Sequence, residues 1–263
     1  GDHRDLHSFP TRRSSDLSRF SWVFDTIYNP PATRLILAAR SRGIPAAGGL
    51  GMLFDQALAA QRIWHPQTDF PAEKVNAVRR RLALEILKQF PVNILLTGFM
   101  GSGKSTVGQM LAERLALSFV DLDQAIVETA NQSITDIFAI SGEPAFRSLE
   151  RKKLDETIHL GRSQVIATGG GALIDPMAEA LVRRTPALIV HLDTPLEAIR
   201  SRVDGGAGRP LLAGQGDERL VNLFIARRAR YLNLADFRVD GKKRPEEITE
   251  AIAAGLGYEG EFR

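Results

Sequence analysis

The sequence predicts an α/β fold with a parallel sheet flanked by helices, carried by the residues from about Phe90 onward. Three observations predict it. Buried-type strand patterns alternate with helical patterns over this span, as in a parallel sheet covered on both faces. Gly98-Phe-Met-Gly-Ser-Gly-Lys104-Ser105 fits G-x-x-x-x-G-K-[ST] and sits between a strand pattern and a helix pattern, where a phosphate-binding loop belongs. A later stretch, "DGGAGRPLLAGQG", sets glycines on both sides of Arg209-Pro-Leu-Leu212, the composition of a hinged lid.

Each element has a local reason. "VNILLTG", with Ile94, Leu95 and Leu96 in succession, reads as a buried-type strand. Val107, Met110, Leu111 and Leu115 recur at helical spacing after the loop. "SFVDLD" reads as a short second strand, "QVIAT" and "ALIVHL" as further ones, and "DFRVD" as the last, followed by a helix beginning near Pro245.

Composition narrows the function. The chain has 263 residues, 44% apolar and 25% charged, enough for one or two domains with a real core. A net charge of +3, with no aromatic–basic platform, gives no reason to expect a nucleic-acid partner. No apolar run approaches the roughly 18 residues of a membrane span. There is no cysteine, so disulfides and thiolate metal sites are excluded, which suits a cytoplasmic location. His3, His7, His65, His159 and His191 show no metal-ligand spacing and are expected on the surface or in packing.

Residues 1–17 and 18–89 precede the α/β region. "GDHRDLHSFPTRRSSDL" has no apolar periodicity and resembles, over its whole length, one reading frame of a widely used sequencing-adapter DNA. It is set aside from fold reasoning, and the natural chain is expected to start upstream. In 18–89, "WVFDTIYNP" reads as a strand and turn, and "ATRLILAARSRG" as a helix closed by Gly43. "GGLGMLFDQALAAQRIW" reads as a Gly-rich turn entering a helix, and "AEKVNAVRRRLALEILKQ" as another. These are too few elements to close a sheet around a core. Asp25, "YNP" at Tyr28–Pro30, Thr33 and "GLGML" at Gly49–Leu53 with Gln56 resemble the C-terminal end of shikimate dehydrogenases. The resemblance implies that Tyr28 and Gln56 belong near shikimate, and Gly51 and Met52 near the nicotinamide. That family's catalytic Lys and Asp and its dinucleotide turn lie upstream, and no G-x-G-x-x-G follows a strand here. The segment is expected to be an incomplete Rossmann-type fragment without dehydrogenase activity, its other half missing.

The phosphate loop makes the third region, 90–263, a nucleoside triphosphate site, with ATP the expected nucleotide. Gly98, Gly101 and Gly103 let successive backbone N–H groups, with that of Ser102, point at phosphate oxygens. The helix start at Lys104, Ser105 and Thr106 adds its positive dipole end. Lys104 is expected to reach the β- and γ-phosphates, and the Ser105 hydroxyl to ligate Mg²⁺.

Four clusters bear on the acceptor. Asp121 and Asp123 close the second strand, and two apart on an extended chain they share a face. One suits Mg²⁺ held through water and the other a substrate hydroxyl, while helix capping is the alternative for Asp123. In "GEPAFRSLE", Arg147 and Glu150 are i, i+3 on an expected helix, either a surface ion pair or an arginine oriented to clamp a carboxylate. "TGGG", Thr168 with Gly169, Gly170 and Gly171, lets backbone approach a ligand closely. Arg209 on the lid is placed to reach the transferring phosphate while the lid excludes water; a flexible surface loop is the alternative.

The ordered set GxxGxGKST, DLD, GExxFRxxE, GGG, RPLL and RxxxY, from about Val92 to Gly257, resembles the shikimate kinases. The resemblance implies a P-loop kinase fold and ATP- and Mg²⁺-dependent transfer to the shikimate 3-hydroxyl. By position it implies Asp123 at that hydroxyl, Arg147 and Arg227 at the carboxylate, and a backbone N–H of Gly170 nearby. Phe138 and Phe146 would line the ring pocket, Asp121 would sit behind Mg²⁺, and Arg202 and Pro245 would flank the adenine. The family often has Pro two residues before the Tyr of RxxxY, whereas Ala229 precedes Tyr231 here; with Arg228 and Arg230 adjacent, Arg227 is the least secure assignment. A kinase for another small polyol acid such as gluconate, and a non-catalytic ATP-binding module, are the competing readings. A dehydrogenase that makes shikimate beside a kinase that consumes it suggests a fused two-step enzyme.

Overall fold

The computed structural model describes residues 17, 19–30, 32–40, 42, 44–202 and 217–256, with only the backbone of Arg40, Arg80, Leu84, Lys88, Arg202, Asp217 and Arg219. It divides into two compact units, with the division between Thr68 and Asp69. The adapter-like tail, apart from Leu17, and the lid with Arg209 lie outside the described residues.

In the first unit, strands β1 (Val23–Asp25) and β2 (Ala46–Gly48) pair in parallel, with helices α1 (Arg34–Arg40) and α2 (Gly49–Trp64). The strand and both helices follow the sequence reading; β2, three small residues leading into the expected Gly-rich turn, carries no apolar alternation to announce it. Ala32, Ile36, Leu37 and Ala39 are fully buried. Asp25 is buried too, and its carboxylate accepts hydrogen bonds from the Thr33 hydroxyl at 2.6 Å and the Ile27 N–H at 3.1 Å. Two strands cannot cover their own apolar residues. Trp22 and Phe24, stacked with ring centroids 5.6 Å apart, remain exposed, as do Phe20, Ile63 and Trp64.

The second unit opens with helix α3 (Ala72–Gln89). Its sheet is fully parallel: β3 (Asn93–Thr97), β4 (Ser118–Asp121), β5 (Gln164–Ala167), β6 (Ala187–Asp193) and β7 (Phe237–Asp240), in the order β4-β5-β3-β6-β7. Every residue of β3 is buried, Asn93 and Thr97 included, as befits the central strand of a parallel sheet covered on both faces. β7 alternates buried and exposed, as befits an edge. The helices are α4 (Lys104–Leu115), α5 (Leu122–Ala130), α6 (Ile134–Ile158), α7 (Pro176–Arg183), α8 (Leu196–Arg202), α9 (Asp217–Leu234) and α10 (Pro245–Gly255). Val107, Leu111 and Leu115 bury the predicted face of α4, with Met110 half-buried at its margin. Helix α6 is bent at Gly142, whose φ of 76° leaves the helical region just before Glu143 and Pro144. Leu95, Leu122, Ile126, Phe146, Leu154, Ile166 and Ile189 share one core between the sheet and α5–α6. No helix among the described residues is long and apolar enough to cross a membrane.

The sequence reading grouped 72–89 with the first segment, whereas α3 packs with the second unit. Ala83, Ile86 and Leu87 are buried. The Ser163 hydroxyl donates to the Leu87 carbonyl at 2.5 Å and accepts from the Val92 N–H at 3.0 Å, tying the end of α3 to the loop before β5. A fragment starting at Asp69 is therefore expected to be more stable than one starting at Phe90. Burial of a Leu or Ile contributes about 1.5–3 kcal/mol each, so calorimetric melting of the two should show a Tm gap of several degrees; equal Tm values would mean that α3 adds nothing to this unit.

Candidate active site

The phosphate loop turns out of β3 at the carboxyl edge of the sheet, where open α/β sheets bind ligands. Gly103, the residue before α4, has φ of 93°, which a side chain would oppose. The Lys104 Nζ donates to the carbonyls of Gly98 and Phe99 at 3.0 and 3.1 Å, holding the ammonium against the loop. Ser102 is buried, and its carbonyl accepts from the Thr194 hydroxyl at 3.3 Å, which fixes the loop to the end of β6.

One cavity of about 450 Å³ begins at this loop. Its wall includes Gly101, Gly103, Lys104, Ser105 and Thr106 on the phosphate side, and Asp121 and Asp123 beyond them. Phe138, Phe146, Arg147, the glycine triplet and Arg227 complete the far side. Residues from Met100 to Arg227 thus meet in one space.

The two aspartates correct the sequence reading in detail. β4 ends at Asp121, and Asp123 lies in the first turn of α5, so they do not share the face of an extended strand. Helix capping belongs to Asp121: its Oδ1 accepts from the backbone N–H of Asp123 at 3.1 Å and of Gln124 at 3.3 Å. The other oxygen, Oδ2, accepts from the Ser105 hydroxyl at 2.5 Å. Among the described residues no three acidic or histidine side chains converge as a metal cage. A hydroxyl facing one carboxylate beside a phosphate loop fits Mg²⁺, which binds through one or two side chains and completes its shell with phosphates and water.

The glycine triplet serves a purpose that its sequence alone does not show. A Cβ on Gly169 would lie 2.5 Å from Glu150 Oε1 and 2.6 Å from Asp123 Oδ1. One on Gly171 would lie 2.5–2.7 Å from the Arg147 guanidinium. The bare backbone therefore lets an acid pair and an arginine close in from either side. Gly170 keeps its carbonyl on the Tyr231 hydroxyl, which donates to it. Burial, opposed in part by the Arg227 charge, pushes the Tyr231 phenol up to about 12, so it stays a donor.

Arg147 pairs with Glu150 at 2.6 Å, as the spacing predicts. Its Nε and Nη2 also donate to Glu143 at 3.3 and 3.0 Å, an i, i+4 pair that the sequence reading passed over. Glu150 is 3% exposed, and its Oε1 has no hydrogen-bond partner among the described residues. Burial raises its pKa and nearby Asp123 adds to this, while Arg147 and Arg227 oppose them. Of the three neighbouring arginines, only Arg227 lines the cavity, its guanidinium 6.0 Å from the centroid of the Phe99 ring. Phe138 and Phe146 meet with ring centroids 4.9 Å apart.

The family profile described as shikimate kinase matches residues 100–256. A shikimate kinase of Geobacter sulfurreducens is 45% identical over 161 residues, 60% of this chain and 87% of that protein. One of Stenotrophomonas maltophilia K279a is 43% identical over 149 residues, 56% of this chain and 82% of its own. The chain belongs to the shikimate kinase family. Among solved structures, a shikimate kinase from Acinetobacter baumannii in complex with shikimate superposes with a TM-score of 0.61 at 30% identity, covering 68% of this chain and 99% of that one. The shikimate kinase of Aquifex aeolicus gives 0.56 at 38% identity, covering 63% and 96%.

Not every expected residue of this shikimate kinase site reaches the cavity. Gly98, Ser102 and Pro245 are not among the residues that line it, although the first two belong to the loop and Pro245 opens α10. The Arg202 side chain lies outside the described residues. Ile134, Glu150 and Thr168 line the cavity without having been singled out as ligand contacts. Gly169→Ala tests the fit: the added methyl must displace Asp123 or Glu150, and small misplacements of reacting groups are costly. Turnover should fall at least about tenfold with the circular dichroism spectrum unchanged; wild-type turnover would show that this backbone is not a tight wall.

Proposed function

We infer that the chain catalyses ATP-dependent phosphorylation of the 3-hydroxyl of shikimate, yielding 3-phosphoshikimate and ADP, and that a cytoplasmic location suits it. The observation that carries this is the single cavity with a phosphate loop at one end and Asp123 between it and the arginines Arg147 and Arg227. Phosphoryl transfer needs positioning and charge neutralisation more than covalent chemistry from the protein. Lys104 and the loop N–H groups hold the β- and γ-phosphates. Ser105, and Asp121 through water, would hold Mg²⁺, which would supply positive charge to offset that of the phosphates. Asp123 accepts a hydrogen bond from the 3-hydroxyl and is placed to take its proton as the oxygen bonds to the γ-phosphorus and the bridging bond to ADP breaks. Arg147 and Arg227 hold the carboxylate, Gly170 approaches with backbone, and Phe138 and Phe146 cover the ring. Arg202 and Pro245 beside the adenine and Arg209 over the phosphate remain part of this proposal.

The two arginines favour an acceptor acid, and the two phenylalanines an unsaturated ring over the open chain of gluconate. The first unit is read as the C-terminal piece of a shikimate dehydrogenase-like half; its exposed Trp22–Phe24 stack is the kind of apolar surface that a complete domain covers. The chain alone should then give no shikimate-dependent reduction of NADP⁺, and appearance of NADPH would refute that reading.

Two substitutions separate the ends of the cavity. Lys104→Ala should abolish turnover while calorimetry still detects shikimate binding; loss of shikimate affinity in a well-folded variant would move Lys104 to the acceptor side. Arg147→Lys retains charge but not the planar fork. It should leave the ATP KM unchanged and lower kcat/KM for shikimate by roughly tenfold to more than a hundredfold, for the about 1.5–3 kcal/mol of a charged hydrogen bond. A raised ATP KM with shikimate use intact would make Arg147 a structural residue.

A further inference from the structure

Helix α9 carries three arginines within four positions, Arg227, Arg228 and Arg230. Each residue turns an α-helix by about 100°, so a rotation of one step would bring Arg228 to where Arg227 faces the cavity. The sequence of α9 does not by itself prevent this. The structure resolves it with contacts to two other elements. Arg228 Nε and Nη2 donate to the two oxygens of Asp193, both at 2.8 Å, a two-bond pair at the carboxyl end of β6. Arg230 donates to Glu179 on α7. Tyr231, one turn on from Arg227 and on the same face, donates to the Gly170 carbonyl.

We propose that Arg228 and Arg230 are positioning residues whose ion pairs with Asp193 and Glu179 set the rotation of α9, so that Arg227 faces the acceptor. The proposal rests on Arg227 holding the shikimate carboxylate. It adds that the choice among the arginines is made by β6 and α7, not by α9. Asp193 is the more strongly held anchor. Its carboxyl is kept below the usual carboxylate range by the Arg228 hydrogen bonds and charge, against the opposing effect of burial. His191 Nε2 lies 3.7 Å away and Arg238 Nη1 3.9 Å away on the neighbouring strand. The same strand end touches the phosphate loop through Thr194 and Ser102, so one short segment reaches both the nucleotide side and the helix that carries Arg227. The Arg228 side chain is 42% exposed, and Arg238 can compensate in part, so its loss should weaken acceptor binding without abolishing it.

The test uses the full chain with Arg227→Met, Arg228→Met, Arg228→Lys, Asp193→Asn and the double variant Arg228→Met/Asp193→Asn, reading kcat, both KM values and Tm. Arg228→Met and Asp193→Asn should each raise the shikimate KM about three- to tenfold with the ATP KM unchanged. Arg228→Lys should fall between Arg228→Met and wild type, and the double variant should be no worse than either single one, because one pair is being cut twice. If Arg227→Met loses shikimate but the Arg228 and Asp193 variants keep its KM, or if both KM values rise together, the positioning role is overturned. If Arg227→Met keeps the wild-type shikimate KM, the proposal fails at its premise. Should Arg228→Met not fold, Asp193→Asn cuts the same pair from the other side.

Discussion

Close approach across the Gly169–Gly171 backbone is the constraint on which the rest of the site depends. On one side Asp123 and Glu150 reach within 2.6 Å of the point where a Gly169 side chain would begin; on the other the Arg147 guanidinium does the same at Gly171. Like charges brought this near raise each other's proton affinity, and buried charge needs partners. Arg147 supplies them by linking Glu150 to Glu143, and Arg227 adds a second positive charge from α9. The acceptor side is therefore a fixed alternation of acid and arginine, assembled around a strand end that contributes only backbone. This suits a substrate with both hydroxyls and a carboxylate, because each charge is already oriented before it arrives.

The nucleotide side rests on a more local device. Strand, loop and helix are continuous in sequence, and the loop is pinned from below by Thr194 and from within by Lys104. The two sides meet through the start of α5, where Asp121 caps the helix, accepts from Ser105, and so sets the position of Asp123 in the first turn. One residue thereby couples the expected metal position to the residue proposed to receive the substrate hydroxyl, which phosphoryl transfer requires to be mutually placed.

That difference explains what the sequence made legible. The parallel strands, α4 and the phosphate loop are written in contiguous patterns of apolar spacing and glycine, and they stand where those patterns put them. The cavity members Asp123, Arg147 and Arg227 were found from an ordered set of motifs. Most of what escaped depends on distant contacts. The capping role falls to Asp121 because β4 stops two residues earlier than the apparent strand. Glu143, one helical turn before Arg147, was legible as an i, i+4 partner and was passed over for Glu150. The burial of Glu150, the anchors of Arg228 and Arg230, and the packing of α3 through Ser163 are set between elements far apart in the chain, where no local period records them.

The central claim is that one cavity joins a phosphate donor to the 3-hydroxyl of shikimate. Its most direct test is to incubate the purified chain with Mg-ATP and an equimolar mixture of shikimate and gluconate, and to identify the phosphorylated product by phosphorus and proton NMR. The account predicts 3-phosphoshikimate formed in step with ADP, the phosphate on the 3-oxygen and gluconate untouched. Phosphate on another shikimate oxygen, preferential phosphorylation of gluconate, or ADP released without any phosphorylated acceptor would contradict it.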